Sequence, residues 1–168
     1  MFKNIFNSKH IRLNSYVIVK APITGKVIDL SEVKDEVFAS KMVGDGIAIE
    51  PSEGSLVAPF DGKVKQIFST GHAVVLESEE GLAILIHIGL NTVNLKGEGF
   101  KILMTEGQKI KTGDHIITFD MDFIKKSHYY LQSPVVIPER NIIKAIEFTN
   151  EKYISRGKDV LMKVQLTG

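Results

Sequence analysis

Short runs rich in valine, isoleucine and phenylalanine recur along the whole chain, and Gly, Pro, Asp or Ser residues separate them roughly every ten positions. This spacing is typical of short strands joined by tight turns. It predicts an all-β fold, an antiparallel β-sandwich or barrel-like domain. We also expect one or two short surface helices. The clearest covers residues 122–131, with Asp120 or Asp122 as its cap and Pro134 soon after its end.

A seven-residue pattern occurs twice, as APITGKV at 21–27 and as APFDGKV at 58–64. Pro and Gly set a turn in each copy, and the residues that follow enter a strand, so we predict two similar β units in one domain. Residues 141–148 fit either a strand or a helix, whereas the alternation over 159–165 predicts a closing strand. We assign residues 1–18 to an N-terminal tail and 19–168 to the domain.

Composition narrows the functions open to the chain. It has 168 residues with 21 Lys and Arg against 20 Asp and Glu, and the scattered basic residues argue against a nucleic-acid partner. It has no cysteine, which excludes disulfides, thiolate metal sites and a cysteine nucleophile in this sequence. The longest apolar run, 82–90, is far shorter than the roughly 18 residues that span a bilayer.

The N-terminal residues lack the apolar core and cleavage site of a secretory signal, which predicts a cytoplasmic protein. Phe2, Ile5 and Phe6 fall at helical spacing beside Lys3 and Lys9. So short a helix is marginal in water, so the plain interpretation is a frayed terminus. The alternative is an amphipathic segment over residues 1–10 that contacts the inner face of the membrane peripherally.

Residues 72–88 contain two apolar runs around a polar turn, which predicts a β-hairpin. A turn centred between Glu79 and Glu80 pairs His72 with His87 and places the two imidazoles side by side. A bulge at Gly81 is the alternative, since it would shift the register by one residue and send one histidine to the other face.

Alternation places Ile84, Ile86 and Ile88 on the core face and His87 on the less buried face. Neutral imidazole is a good nucleophile at pH 7 and forms a reactive N–P bond, while a neighbouring imidazole can donate to phosphoryl oxygens. Zinc binding is the competing chemistry. Thr70 lies two residues before His72 and can fix the tautomer of that ring through its hydroxyl. The plain alternative is that these residues only serve the strand structure.

The run GLAILIHIGLNTV at 81–93, followed by LKGEGF at 95–100, resembles the active-site signature of the glucose-type IIA component of the bacterial phosphoenolpyruvate-dependent sugar phosphotransferase system. Further likeness covers VFA at 37–39, VGDGIAI at 43–49, VAP at 57–59, TGH at 70–72, EGQ at 106–108 and PVV at 134–136. The likeness weakens before Val19 and after Arg140.

This resemblance implies that His87 carries the phosphoryl group, that His72 stabilises it and that Thr70 orients the ring of His72. It implies a β-sandwich and no required cofactor. We separately expect the protein to be a monomer. The implied donor is the histidine phosphocarrier protein HPr, and the implied acceptor is a cysteine of the IIB domain of a sugar permease. Members of the family in some bacteria also regulate other proteins when unphosphorylated. The family commonly has Asp where this chain has Asn91, a difference that we expect to affect partner preference rather than chemistry.

Transfer between proteins requires an accessible site with an apolar rim that docks the partner and excludes water. For this rim we nominate five apolar residues: Phe38, Met42, Val43, Phe68 and Leu85.

Two other functions fit parts of the sequence. A biotinyl or lipoyl carrier domain is also a small β-sandwich of two similar units, and Lys41-Met42 matches half of its motif, but that function leaves both histidines unexplained. A zinc hydrolase built on His72 and His87 lacks a third ligand with suitable spacing. The family resemblance implies that any metal between these histidines is adventitious or belongs to a partner complex.

Overall fold

A computed structural model describes residues 15–167. Within them the chain forms fourteen strands, two α-helices, and two 3₁₀ helices at Leu30–Glu32 and Thr92–Leu95. The α-helices are α1 (Glu36–Ala39) and α2 (Met121–Lys126). The strands are β1 (Tyr16–Lys20), β2 (Gly25–Ile28), β3 (Asp45–Pro51), β4 (Ser55–Val57), β5 (Gly62–Ile67), β6 (Ala73–Ser78), β7 (Ala83–His87), β8 (Phe100–Ile102), β9 (Lys109–Ile110), β10 (His115–Phe119), β11 (Ser133–Ile137), β12 (Ile143–Phe148), β13 (Tyr153–Ile154) and β14 (Val160–Leu166).

The strands form three antiparallel sheets. The largest has the order β13-β2-β3-β11-β7-β6-β5-β9, and the two smaller sheets have the orders β1-β14-β12 and β4-β10-β8. The predicted all-β sandwich is confirmed, and the sheets are not closed into a barrel.

One hydrophobic core joins the three sheets. It combines fully buried side chains such as Val19 and Leu161 from one small sheet, Ile116 from the other, and Ile84 and Ile86 from the large sheet. Burial of this apolar surface is the main stabilising contribution to the fold. A second, smaller cluster lies on the other face of the large sheet's central strands, where alternate residues of β7 and β11 point. Its buried members are Leu30, Val33, Phe38, Ala48, Leu90 and Val136.

The repeated sequence pattern starts equivalent strands, as predicted. Gly25 begins β2 and Gly62 begins β5, and each glycine lies against the backbone of the adjacent strand. A Cβ at these positions would lie 2.1 Å from the carbonyl oxygen of Glu50 or 2.0 Å from that of Glu77. Close backbone approach therefore requires glycine at the same place in both units.

The predicted helix over 122–131 exists but is shorter and starts earlier. Asp120 is the N-cap, and its carboxylate accepts a hydrogen bond from the Phe123 amide at 3.0 Å. The helix ends at Lys126, and His128 then adopts a left-handed φ of 67° that an α-helix does not accommodate. Residues 127–131 therefore lie outside the helix, although their sequence fits the pattern that predicted it.

The ambiguous segment 141–148 is resolved as strand β12, and the predicted closing strand is β14. Strand β1 begins at Tyr16 and pairs with β14, so the sheet includes residues 16–18 and the predicted tail is shorter by these three residues. The predicted amphipathic segment over residues 1–10 lies outside the described residues.

The β6–β7 hairpin differs from the predicted register by one residue. Ala73, not His72, is paired with His87, and Val75 is paired with Leu85. The loop has three residues, 79–81, closed by a hydrogen bond of 2.8 Å from the Ser78 amide to the Leu82 carbonyl. Gly81 takes a left-handed φ of 96° in this loop, so the extra residue is accommodated there, the alternative left open from the sequence.

Candidate active site

His72 and His87 are neighbours despite the shifted register. Their ring centroids lie 5.0 Å apart, with the ring planes at 74°. His87 is the last residue of β7, whereas His72 precedes β6 and follows a turn in which Gly71 adopts a φ of 70°. The turn releases His72 from the strand alternation, and so its ring reaches His87 from outside the paired region. The Ile88 amide donates to the His72 carbonyl at 2.7 Å and holds the two segments together.

The tautomer of His87 follows from its partner. Nδ1 lies 2.6 Å from the carbonyl oxygen of Gly89. A carbonyl oxygen only accepts, so Nδ1 carries the proton and Nε2 retains its lone pair. Nε2 is therefore the nucleophilic atom of His87.

The ring of His72 is also held through Nδ1. This atom lies 2.5 Å from Oγ1 of Thr70, the residue predicted from sequence to orient it. The side chain of His72 is 8% exposed. In the part of the chain that the structure describes, no buried side-chain nitrogen or oxygen lacks a hydrogen-bond partner. Nε2 of each histidine has no such partner, and both atoms therefore reach the surface.

Aromatic side chains enclose the two imidazoles. Phe68 stacks on His72 with centroids 5.5 Å apart and planes at 18°, and the Phe38 ring lies 5.1 Å from that of His87. Val43 and Leu85 pack in the same small cluster as Phe38. Met42 is 74% exposed. The structure thus gathers Phe38, Val43 and Leu85 in one cluster beside His87 and leaves Met42 as the most exposed of the nominated residues.

Asp35 is a site residue that the sequence reasoning missed. Its carboxylate caps α1 by accepting from the Val37 amide at 2.9 Å and the Phe38 amide at 3.4 Å, and it lies close enough to His87 to affect that ring electrostatically. The signal was present in the sequence, because an Asp before Glu-Val-Phe is a common helix start. The capped turn of α1 presents Phe38 to His87.

Comparison with known proteins identifies the family of this chain. Residues 17–143 match the family described as the phosphoenolpyruvate-dependent sugar phosphotransferase system, EIIA 1. The chain belongs to this family. A solved structure, the glucose permease IIA from Mycoplasma capricolum, superposes with a TM-score of 0.82 at 36% sequence identity, covering 89% of this chain and 96% of that one. The sequence resemblance to a glucose-type IIA component is therefore confirmed.

Burial keeps both imidazoles of this EIIA chain uncharged. Burial, followed by the neighbouring His87, lowers the pKa of His72 to about 4. Burial also lowers the pKa of His87, although the Gly89 carbonyl and the Asp35 carboxylate oppose this shift. Neutral rings are the forms required for a nucleophile at one histidine and a neutral hydrogen-bond donor at the other.

Titration of the two rings tests this electrostatic environment. We expect the ring resonances of His72 to titrate near pH 4 and those of His87 below 6.5, measured by NMR. Because the folded state disfavours protonation, the stability contribution of the neutral rings is complete above pH 6.5 and is lost as the pH falls toward 4. In His87→Ala the pKa of His72 should rise but stay below 6.5, since burial is its larger cause. Titration of both rings at 6.5 in the parent protein would contradict the assignment.

Gly89 supplies the carbonyl that binds Nδ1 of His87, and its surroundings leave no room for a side chain. It adopts a φ of 71°, and a Cβ there would lie 2.7 Å from Cγ2 of Thr92 and 2.8 Å from the carbonyl oxygen of Tyr130. A side chain would therefore move the carbonyl that fixes the His87 tautomer.

For Gly89→Ala we expect a loss of roughly 2–4 kcal/mol in unfolding free energy, from left-handed strain plus overpacking, and phosphoryl acceptance at least tenfold slower. Gly81→Ala is the matched control, because Gly81 also has a positive φ of 96° but open space around a Cβ. Denaturant unfolding and the acceptance rate should separate the two variants. Equal rates in both would show that the Gly89 carbonyl does not govern His87.

Asn91 follows the signature histidine and has a left-handed φ of 59° at the start of the second 3₁₀ helix. Asn and Asp both tolerate this backbone conformation, and the side chain of Asn91 makes no capping hydrogen bond. The backbone therefore gives no reason to prefer Asp here, and an effect on partner preference stays a prediction.

The structure also places the residues of the two alternative functions, the zinc site at His72 and His87 and the carrier lysine Lys41. Across residues 15–167, no group of three or more His, Cys, Asp or Glu side chains is arranged to hold a metal ion, so a zinc centre at His72 and His87 has no third ligand of these types there. Lys41 forms an ion pair with Asp45 at 3.3 Å. Within the same residues no helix is both long and apolar enough to cross a membrane.

Proposed function

We propose that this chain accepts a phosphoryl group from phosphorylated HPr on Nε2 of His87 and passes it to the cysteine of a IIB domain during sugar uptake. The observation that carries the proposal is the paired imidazoles, each bound through Nδ1 and each presenting Nε2 at the surface. Membership of the EIIA family supports the role of phosphotransferase-system component.

The proposed chemistry follows from the tautomers. In the first half-reaction the Nε2 lone pair of His87 forms an N–P bond as the N–P bond of the donor phosphohistidine breaks. In the second, the IIB thiolate forms an S–P bond as the His87 N–P bond breaks and the electron pair returns to Nε2. Charge in the loose transition state lies on the equatorial oxygens, to which Nε2–H of His72 donates. That tautomer requires the Thr70 hydroxyl to donate to Nδ1 of His72.

Partner docking is assigned to the apolar surface around the imidazoles. Phe38, Val43 and Leu85 form its packed base beside His87, Phe68 covers His72, and Met42 extends into solvent. A flexible exposed methionine suits a surface that meets two different partners. A partner docked on this surface covers the site and keeps water from the phosphohistidine.

Incubation with phosphoenolpyruvate, enzyme I and HPr tests the proposal. We expect an acid-labile, alkali-stable phosphoryl group, mapped by mass spectrometry to His87. Omission of HPr should abolish labelling. Label on a serine, a threonine or His72 would overturn the assignment.

We also propose that residues 1–10 give the otherwise cytoplasmic protein a peripheral contact with anionic membranes, on the sequence pattern of Phe2, Ile5 and Phe6 beside Lys3 and Lys9. Deletion of these residues should weaken binding to vesicles containing anionic lipid while phosphoryl transfer in solution continues at the parent rate. Cosedimentation and the transfer assay measure the two effects. Unchanged vesicle binding would mean that the segment is an ordinary chain end.

A further inference from the structure

A fully buried hydroxyl lies behind the loop that follows His87. Ser133, the first residue of β11, has no exposed surface. Its Oγ donates to the Leu131 carbonyl at 2.8 Å and accepts from the Gly89 amide at 3.1 Å. Donor and acceptor capacity of the hydroxyl are thus both used in the interior.

The two backbone groups of Gly89 connect Ser133 to His87. The Gly89 amide binds Ser133, and the Gly89 carbonyl accepts the Nδ1 proton of His87. The adjacent Leu90 amide donates to the Tyr130 carbonyl at 3.0 Å, and the buried Thr92 hydroxyl donates to the Ile88 carbonyl at 2.5 Å. The loop after His87 is therefore attached on one side to the segment before β11 and on the other to the 3₁₀ helix.

We propose that Ser133 is a positioning residue for His87. Its hydroxyl holds the amide of Gly89, in the Ile88–Gly89 peptide, and so sets the orientation of the Cα from which the Gly89 carbonyl is directed at Nδ1. That carbonyl keeps the proton on Nδ1 and the lone pair on Nε2. Without this acceptor the buried Gly89 amide has no partner, a costly state that favours rotation of the Ile88–Gly89 peptide toward another one. Glycine at position 89 allows φ and ψ to change with that rotation. A change in these dihedral angles would move the Gly89 carbonyl, in the next peptide group, away from Nδ1, and the imidazole would then populate the tautomer protonated on Nε2, which cannot attack phosphorus. The inference rests on His87 as the phosphoryl acceptor proposed above.

The matched comparison is Ser133→Ala with Ser78→Ala. Ser78 is also buried, at 4% exposed, and its hydroxyl likewise accepts a backbone amide, that of Leu82 at 3.1 Å, but at the opposite end of the hairpin from His87. Both variants leave one backbone amide unpaired, and Ser133→Ala also removes the donor to the Leu131 carbonyl, so its loss of stability in denaturant unfolding should be the larger. Only Ser133→Ala removes an acceptor next to the site.

The readout is the tautomer of His87, measured from the long-range ¹⁵N shifts of its ring in the unphosphorylated protein at pH 7.5. In the parent and in Ser78→Ala we expect a protonated Nδ1 and an unprotonated Nε2. In Ser133→Ala the two nitrogen shifts should move toward each other, and acceptance from phosphorylated HPr should slow by about tenfold to a hundredfold. Ser133→Cys, close to serine in size but a weak hydrogen-bonding group, carries the same expectation should the alanine variant not fold.

Parent-like ¹⁵N shifts and acceptance rate in Ser133→Ala, or in Ser133→Cys where that variant is used, would overturn the positioning role. Equal changes in Ser78→Ala would overturn it too, because they would trace to general loss of stability. Failure of the parent protein to become phosphorylated on His87 would instead contradict the proposed function. The ¹⁵N shifts would still show whether Ser133 controls the ring.

Discussion

His87→Gln should abolish phosphorylation by phosphorylated HPr while leaving the fold largely unchanged. The substitution removes the proposed nucleophile, Nε2 of a ring whose Nδ1 is bound to the Gly89 carbonyl. His87 lies on the partly exposed face of β7, so the core residues on the opposite face keep their packing. Transfer from radiolabelled phosphoenolpyruvate through enzyme I and HPr measures the loss, and circular dichroism checks the fold.

His115→Gln is the matched control for this experiment. Nδ1 of His115, the first residue of β10, lies 2.7 Å from the Ser55 hydroxyl. The pair joins an imidazole to a hydroxyl, as Thr70 and His72 do, but without a second histidine. We expect parent levels of phosphorylation in this variant. Residual labelling of His87→Gln above background would mean that another residue accepts the phosphoryl group.

His72→Ala should slow both half-reactions by about a hundredfold without abolishing either. The substitution removes a hydrogen-bond donor to the phosphoryl oxygens, and loss of one such donor commonly costs roughly 3 kcal/mol in the transition state. In the proposed mechanism the same donor faces the phosphoryl group during receipt from HPr and during release to the IIB cysteine. Quenched-flow measurement of each half-reaction gives the two rates separately.

Thr70→Val, nearly isosteric with the parent side chain, should change both rates in the same direction but by less. It leaves the ring of His72 in place, stacked on Phe68, and removes only the hydroxyl 2.5 Å from Nδ1. Parent rates in His72→Ala in both directions would exclude a paired-imidazole mechanism. A larger effect in Thr70→Val than in His72→Ala would show that Thr70 acts on the phosphoryl group itself.

The hairpin shows what sequence pattern can and cannot predict. Alternation correctly assigned Ile84 and Ile86 to the core and His87 to the other face, because burial of one face is a strong constraint. The turn was less constrained. A two-residue and a three-residue loop both fit Glu79-Glu80-Gly81, and the left-handed φ of Gly81 selects the longer one. The histidines still meet because His72 lies outside the paired strand, where the register has no control over its direction.

The residues that sequence reasoning missed act through the backbone. Asp35 caps a single turn of helix, and Ser133 binds the amide of a residue 44 positions away in the chain. Their side chains carry no periodic signal, since each contribution depends on where the fold brings a peptide group. In contrast, Thr70, His72 and His87 were recognisable because the family signature surrounds them. Phe38, a predicted member of the docking rim, is only 8% exposed, and its ring lies against that of His87.

The position of β7 inside the large sheet has a consequence for motion. This strand is hydrogen-bonded to β6 on one side and to β11 on the other, whereas the terminal strands of the same sheet, β9 and β13, have two residues each. Amide hydrogens near His87 should therefore exchange with solvent among the slowest in the molecule, and those at the sheet's ends much faster. Two different partners in succession thus meet a nucleophile whose backbone is already ordered. The entropy lost on each encounter falls mainly on exposed side chains such as Met42.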